Sequence, residues 1–123
     1  MKFVLVIMIL HSLAISECGS RKLSLIEDRG LNDSIPACIT KKIELIKQEP
    51  VWNPPAQVDE YMYKGKQVFL FSSNCCDQYN MLYDNQCNLV CAPSGGFTGR
   101  GDGKCPDFFE TAKHIKLICK DPR

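Results

Sequence analysis

The sequence predicts an α+β fold, with one N-terminal helix packed on a small antiparallel β-sheet, stapled by disulfides around a glycine-rich loop. Three observations carry this. Ile39, Ile43 and Ile46 recur at helical spacing. Two alternating runs flank Lys64-Gly65, as in a tight hairpin. Five of the eight cysteines fall within residues 75–105, around the glycine-rich segment 93–103.

In chain order, Met1-Lys2, the apolar run from Phe3 to Leu10 and the small residues of Ala14-Ile15-Ser16 read as a secretory leader over residues 1–16. The apolar run is too short for a membrane span, which needs about 20 residues. Cleavage after Ser16 leaves Glu17-Cys18-Gly19-Ser20. Cys18 then admits two readings. The Ala-x-Ser site favours simple cleavage and a soluble product. The position of Cys18 after the apolar run favours lipidation, the one route by which the chain would meet a membrane. Residues 17–35 are polar and mixed in charge, and read as a flexible tether. Residues 36–123 read as a single disulfide-rich domain.

Within the domain, 36–49 is the helix. Pro36 suits its first turn, Asp33-Ser34 can cap it, and Pro50 ends it. Pro54-Pro55 gives a stiff connection. Residues 57–63 and 66–72 are two strands. The second is apolar on both faces, which predicts a central place in the sheet. Residues 79–83 read as a helical turn and 84–86 as a turn. Residues 88–92 form a short strand with Leu89 and Cys91 on one face. Residues 93–103 carry no regular pattern, and 106–111 give one helical turn. Residues 114–120 close the domain as a strand, with Ile115, Leu117 and Cys119 sharing a face.

An even cysteine count in a short exported chain implies a bridge framework. Each bridge contributes about 2–4 kcal/mol against a total stability of about 5–15 kcal/mol. The six central cysteines, Cys38, Cys75, Cys76, Cys87, Cys91 and Cys105, are expected to pair. Adjacent cysteines bridge each other rarely because the geometry is strained. Cys75 and Cys76 are therefore expected to join two different elements. Thiolates from Cys75, Cys76, Cys87 and Cys91 on zinc are the competing reading.

The formal net charge is +1, and Lys2 of the leader accounts for it. No concentrated basic face points to nucleic acid. His11 lies in the leader and His114 on a polar strand, so no nucleophile–base set is expected. No cofactor motif stands out. Asp77, Asp84, Asp102 and Asp107 surround the glycine-rich loop and offer oxygen ligands suited to calcium. Their spacing fits turn capping better. Arg100-Gly101-Asp102 spells an adhesion-type tripeptide, which flanking glycines also explain as a turn.

The run Cys75-Cys76-Asp77, Leu82-Tyr83-Asp84, Cys87-Asn88, Cys91-Ala92-Pro93, Gly95-Gly96, Thr98-Gly99, Gly101-Asp102-Gly103, Cys105-Pro106-Asp107-Phe108 resembles a family of small exported bacterial proteins, common in Bacteroidetes-type bacteria and known only as a domain of unknown function. Cys38-Ile39 and Tyr63-x-Gly65-Lys66 resemble it too, so the likeness spans about Pro36 to Asp121. Many members look like lipoproteins, which adds weight to lipidation of Cys18. An aromatic often stands where this chain has Cys119, which implies that Cys119 is an unpaired core thiol. The resemblance brings no catalytic residue.

The functional expectation is a non-catalytic, exported or envelope-anchored domain that binds or inhibits an unidentified macromolecule. Its recognition loop would present Gly95, Gly96, Phe97, Arg100 and Asp102. A calcium- or zinc-binding module is the second expectation, and a small enzyme the third.

Overall fold

The computed structural model describes residues 34–123. The leader, Asp33 and Cys18, with the question of its lipidation, lie outside the described residues. The elements are α1 (Ala37–Gln48), β1 (Gln57–Tyr63), β2 (Lys66–Phe71), β3 (Tyr79–Asp84), β4 (Leu89–Gly95), α2 (Phe108–Thr111) and β5 (Lys113–Lys120). The strands form one sheet in the order β4-β3-β2-β1-β5, with every pair antiparallel. This is the α+β, disulfide-stapled architecture that the isoleucine spacing and the hairpin pattern predict.

The helix forms where its apolar stripe demands. Ile39 and Ile43 are buried, and Ile46 packs against the same cluster. Pro36 occupies the N-cap position, one residue earlier than expected. Its carbonyl accepts the N–H groups of Ile39 and Thr40 at 2.9 and 3.1 Å. The β1–β2 turn is set by two left-handed residues, Lys64 (φ 50°) and Gly65 (φ 74°). This matches a type I′ turn, whose twist suits a two-residue hairpin. β2 lies at the centre of the sheet.

The centrality of β2 gives the sheet two small cores. On one face, Val58, Phe69 and Phe71 meet Ile39 and Ile43 of α1. On the other, Tyr63, Val68, Leu82 and Cys91 meet Cys105 and Phe108 from the segment that follows β4. That segment is pinned by Asp107. Its carboxylate accepts the Tyr63 hydroxyl at 2.7 Å and lies 3.4 Å from the Lys64 ammonium. The Tyr63 hydrogen bond is the main cause that holds the Asp107 pKa below the usual carboxylate value.

Three sequence expectations fail here, each for a tertiary reason. Residues 79–83 form a strand and not a helical turn. β3 is paired on both sides and contributes to both faces, so its sequence shows no clean alternation. β4 continues through Pro93 to Gly95. Proline is tolerated because β4 pairs with β3 alone. In β5, two register shifts against β1 break the inside–outside alternation. Ile115 and Leu117 consequently face solvent, and Ile118 packs with Cys119 in the core.

Candidate functional site

The glycine-rich loop is a defined backbone structure. Gly95, Gly96, Gly99, Gly101 and Gly103 all have φ between 72° and 81°. The Gly96 N–H donates to the Gln78 carbonyl at 3.0 Å, which ties the loop to the β2–β3 connection. The Gly101 N–H donates to Gly95 at 3.0 Å, and the Asp102 N–H to Ala92 at 2.9 Å, folding the loop back along β4. A turn closes where the Gly99 N–H donates to the Gly96 carbonyl at 3.0 Å. Phe97 and Thr98 form its tip. Packing contributes little, as glycine content predicts. These backbone bonds fix the loop together with the Cys91–Cys105 bridge at its ends.

Phe97 is 93% exposed. Arg100 is also exposed, and its N–H donates to the Thr98 hydroxyl at 3.4 Å. Asp102 Oδ1 accepts the Lys104 N–H at 3.0 Å in a local turn. The adhesion-type tripeptide is thus a turn element with Arg100 exposed. Gly95 and Gly96 serve the backbone, because an added Cβ would run into Gln78 and the Tyr79 ring respectively.

The cysteines divide into distinct roles. Cys38 pairs with Cys87 (Cα–Cα 6.2 Å), joining α1 to the β3–β4 turn. Cys91 pairs with Cys105 (Cα–Cα 6.1 Å), closing the loop. Cys75 and Cys76 pair with each other, against the expectation that each reaches a different element. Both stand exposed on the β2–β3 connection. Cys119 is buried but disulfide-bonded, which corrects the expectation of an unpaired core thiol.

The aspartates act mainly as structural acceptors. Asp84 caps the β3–β4 turn by accepting the Gln86 and Asn88 N–H groups at 2.9 and 2.8 Å. Burial pushes its pKa up, but the Asn88 and Gln86 hydrogen bonds outweigh that and leave it lowered. His114 Nε2 lies 2.9 Å from Asp59 Oδ1, and its ring meets Tyr61 edge-on at 5.0 Å. Among the described residues no group of three or more His, Cys, Asp or Glu side chains is arranged to hold a metal ion.

Sequence reasoning missed a cleft of about 500 Å³ between α1 and the β2–β3 region. Lys42, Leu45 and Ile46 of α1, Trp52 of the connection, and Phe71, Met81 and Tyr83 of the sheet line it. Asn74, Asp77, Gln78 and Tyr79 form its outer wall. The cleft adjoins the loop through Gln78 and Tyr79, which touch Gly96. Trp52 and Tyr79 are among the aromatic lining residues, and Trp52 stands just before Pro54-Pro55 in the sequence.

The family model described as Domain of unknown function (DUF6970) matches residues 44–121. The chain belongs to this family. The DUF6970 match begins inside α1 and takes in the whole sheet, the glycine-rich loop and α2. No curated protein and no solved structure matches the chain. The described part of this DUF6970 domain contains no helix long and apolar enough to cross a membrane. Its several disulfides are consistent with an oxidising environment.

Proposed function

We propose that the chain is an exported bacterial binding domain without catalytic activity, which recognises a macromolecular partner through loop 93–105. Phe97 carries the reading. A phenylalanine that is 93% exposed at the tip of a loop fixed by backbone bonds and the Cys91–Cys105 bridge contributes nothing to the core. It is well suited to enter a pocket on a partner. A rigid loop loses little conformational entropy on binding, and an aromatic anchor beside an arginine is a common centre of binding energy. Arg100 supplies that second group. Export rests on the leader-like segment 1–16 and is supported by the oxidised cysteines.

The test is affinity capture from envelope extract, comparing the natural domain with Phe97→Ala and Arg100→Ala. A partner retained by the natural domain and lost from both variants, with melting temperatures unchanged, is the expected result. Equal retention by all three proteins refutes the reading.

A further inference from the structure

We propose that the cleft between α1 and the β2–β3 region is a binding site for a neutral oligosaccharide, distinct from the Phe97 loop. The aromatic side chains of the cleft are held in place before any ligand arrives. The Trp52 indole N–H donates to Glu49 Oε2 at 3.0 Å. The Tyr83 ring meets Phe71 edge-on at 5.4 Å and carries the Lys42 ammonium 4.2 Å from its centroid. The Tyr79 ring abuts Gly96. Lys42 already sits over the Tyr83 ring, so Trp52 and Tyr79 offer the aromatic faces of the cleft, and such faces suit the flat C–H face of a sugar ring.

The outer wall supplies the polar half of such a site. Asn74, Asp77 and Gln78 make no side-chain hydrogen bond or ion pair with any described residue. Each amide offers two donors and an acceptor, and the carboxylate offers two acceptors. Paired donors and acceptors match neighbouring ring hydroxyls. The charge pattern disfavours other ligands. Lys42 and Asp77 are the charged lining residues, one of each sign, so neither strong anion nor strong cation is matched. An organic cation would also meet the Lys42 ammonium already seated over the Tyr83 ring. The volume falls within the range of small-molecule sites, about 300–1,000 Å³.

Trp52 is the single tryptophan of the chain and lines the cleft, so its fluorescence reports occupancy. The disulfide-intact protein is titrated with cellotriose, maltotriose and N-acetylchitotriose, with choline and trigalacturonate as charged comparators. Calorimetry is run in parallel. Saturable binding of at least one neutral trisaccharide, seen by both methods, is the expected result. Asn74→Ala/Gln78→Ala should weaken it about tenfold or more, as when hydrogen bonds to a ligand are lost, and Phe97→Ala should leave it unchanged. Retention on the matching insoluble polymer then separates a polysaccharide ligand from a free oligosaccharide. Absence of saturable binding by any of the three sugars in the millimolar range refutes the proposal. So does heat without a Trp52 response, preference for a charged comparator, or full affinity in the double variant. Because the Phe97 and Asn74/Gln78 variants touch different residues, this site and the loop stand or fall separately.

Discussion

Replacing Gly101 by alanine, with Gly99 as its control, tests whether the loop is clamped by its own backbone. The two glycines have nearly the same dihedral, φ 72° and 73°. A left-handed conformation costs an alanine about 1–2 kcal/mol in either place, offset by about 0.5 kcal/mol of reduced freedom in the unfolded chain. Gly99→Ala meets nothing within 4 Å, so a loss of about 1 kcal/mol is expected. At Gly101 the new Cβ runs into the Ala92 carbonyl and lies 2.7 Å from the Pro93 carbonyl carbon. Both obstacles are backbone, and the Ala92 carbonyl also accepts the Asp102 N–H. Relieving the clash pulls the strand and loop apart. It breaks that bond and the Gly101–Gly95 bond, at about 1 kcal/mol each. Gly101→Ala should therefore lose about 3 kcal/mol. The gap of about 2 kcal/mol corresponds to a difference of roughly 10 °C in melting temperature for a domain of this size. Thermal and urea melts with the disulfides intact measure it. Equal losses for the two variants would show that the loop does not lie against Ala92 as described.

Three further outcomes are expected. Ile43→Ala should cost about 2–5 kcal/mol in urea melts as a large-to-small core change, whereas Leu45→Ala, at a site 52% exposed, should cost well under 1 kcal/mol. On acidification, Asp121 should matter most. Hydrogen bonds from the Arg123 side chain and backbone hold its pKa at about 2, below the ordinary 3.8, so its stabilisation is complete above that ordinary value and lost as pH falls through about 2. Asp121→Asn should flatten the stability–pH curve in that window, and an unchanged acid limb would refute this. Alkylation of the unfolded, unreduced protein followed by peptide mapping should find Cys38–Cys87, Cys91–Cys105 and an unlabelled Cys119. Labelling of Cys119 would restore the free-thiol expectation.

The sequence by itself determined the elements whose signals are local. α1 was legible because one helical stripe, Ile39-Ile43-Ile46, faces one core, and Pro50 cannot continue a helix. The β1–β2 hairpin was legible because Lys64-Gly65 carries the backbone angles the turn requires. The central place of β2 was legible because a strand covered on both faces must be apolar on both. The tertiary structure decided what depends on which neighbour a residue meets. β3 was hidden because Met81, Leu82 and Tyr83 divide between two faces that exist only once β2 and β4 flank them. Ile115 and Leu117 looked inward until the register shifts against β1 turned them out. Cys75 and Cys76 pair with each other on the exposed β2–β3 connection, a pairing no local pattern announces. The loop residues of the candidate site were visible as composition, but their order came from carbonyls at Gln78 and Ala92, which no local pattern announces. The cleft was invisible for the same reason. Its walls come from a helix, two connections and two strands, and side chains far apart in the chain become one surface only when the sheet carries them there.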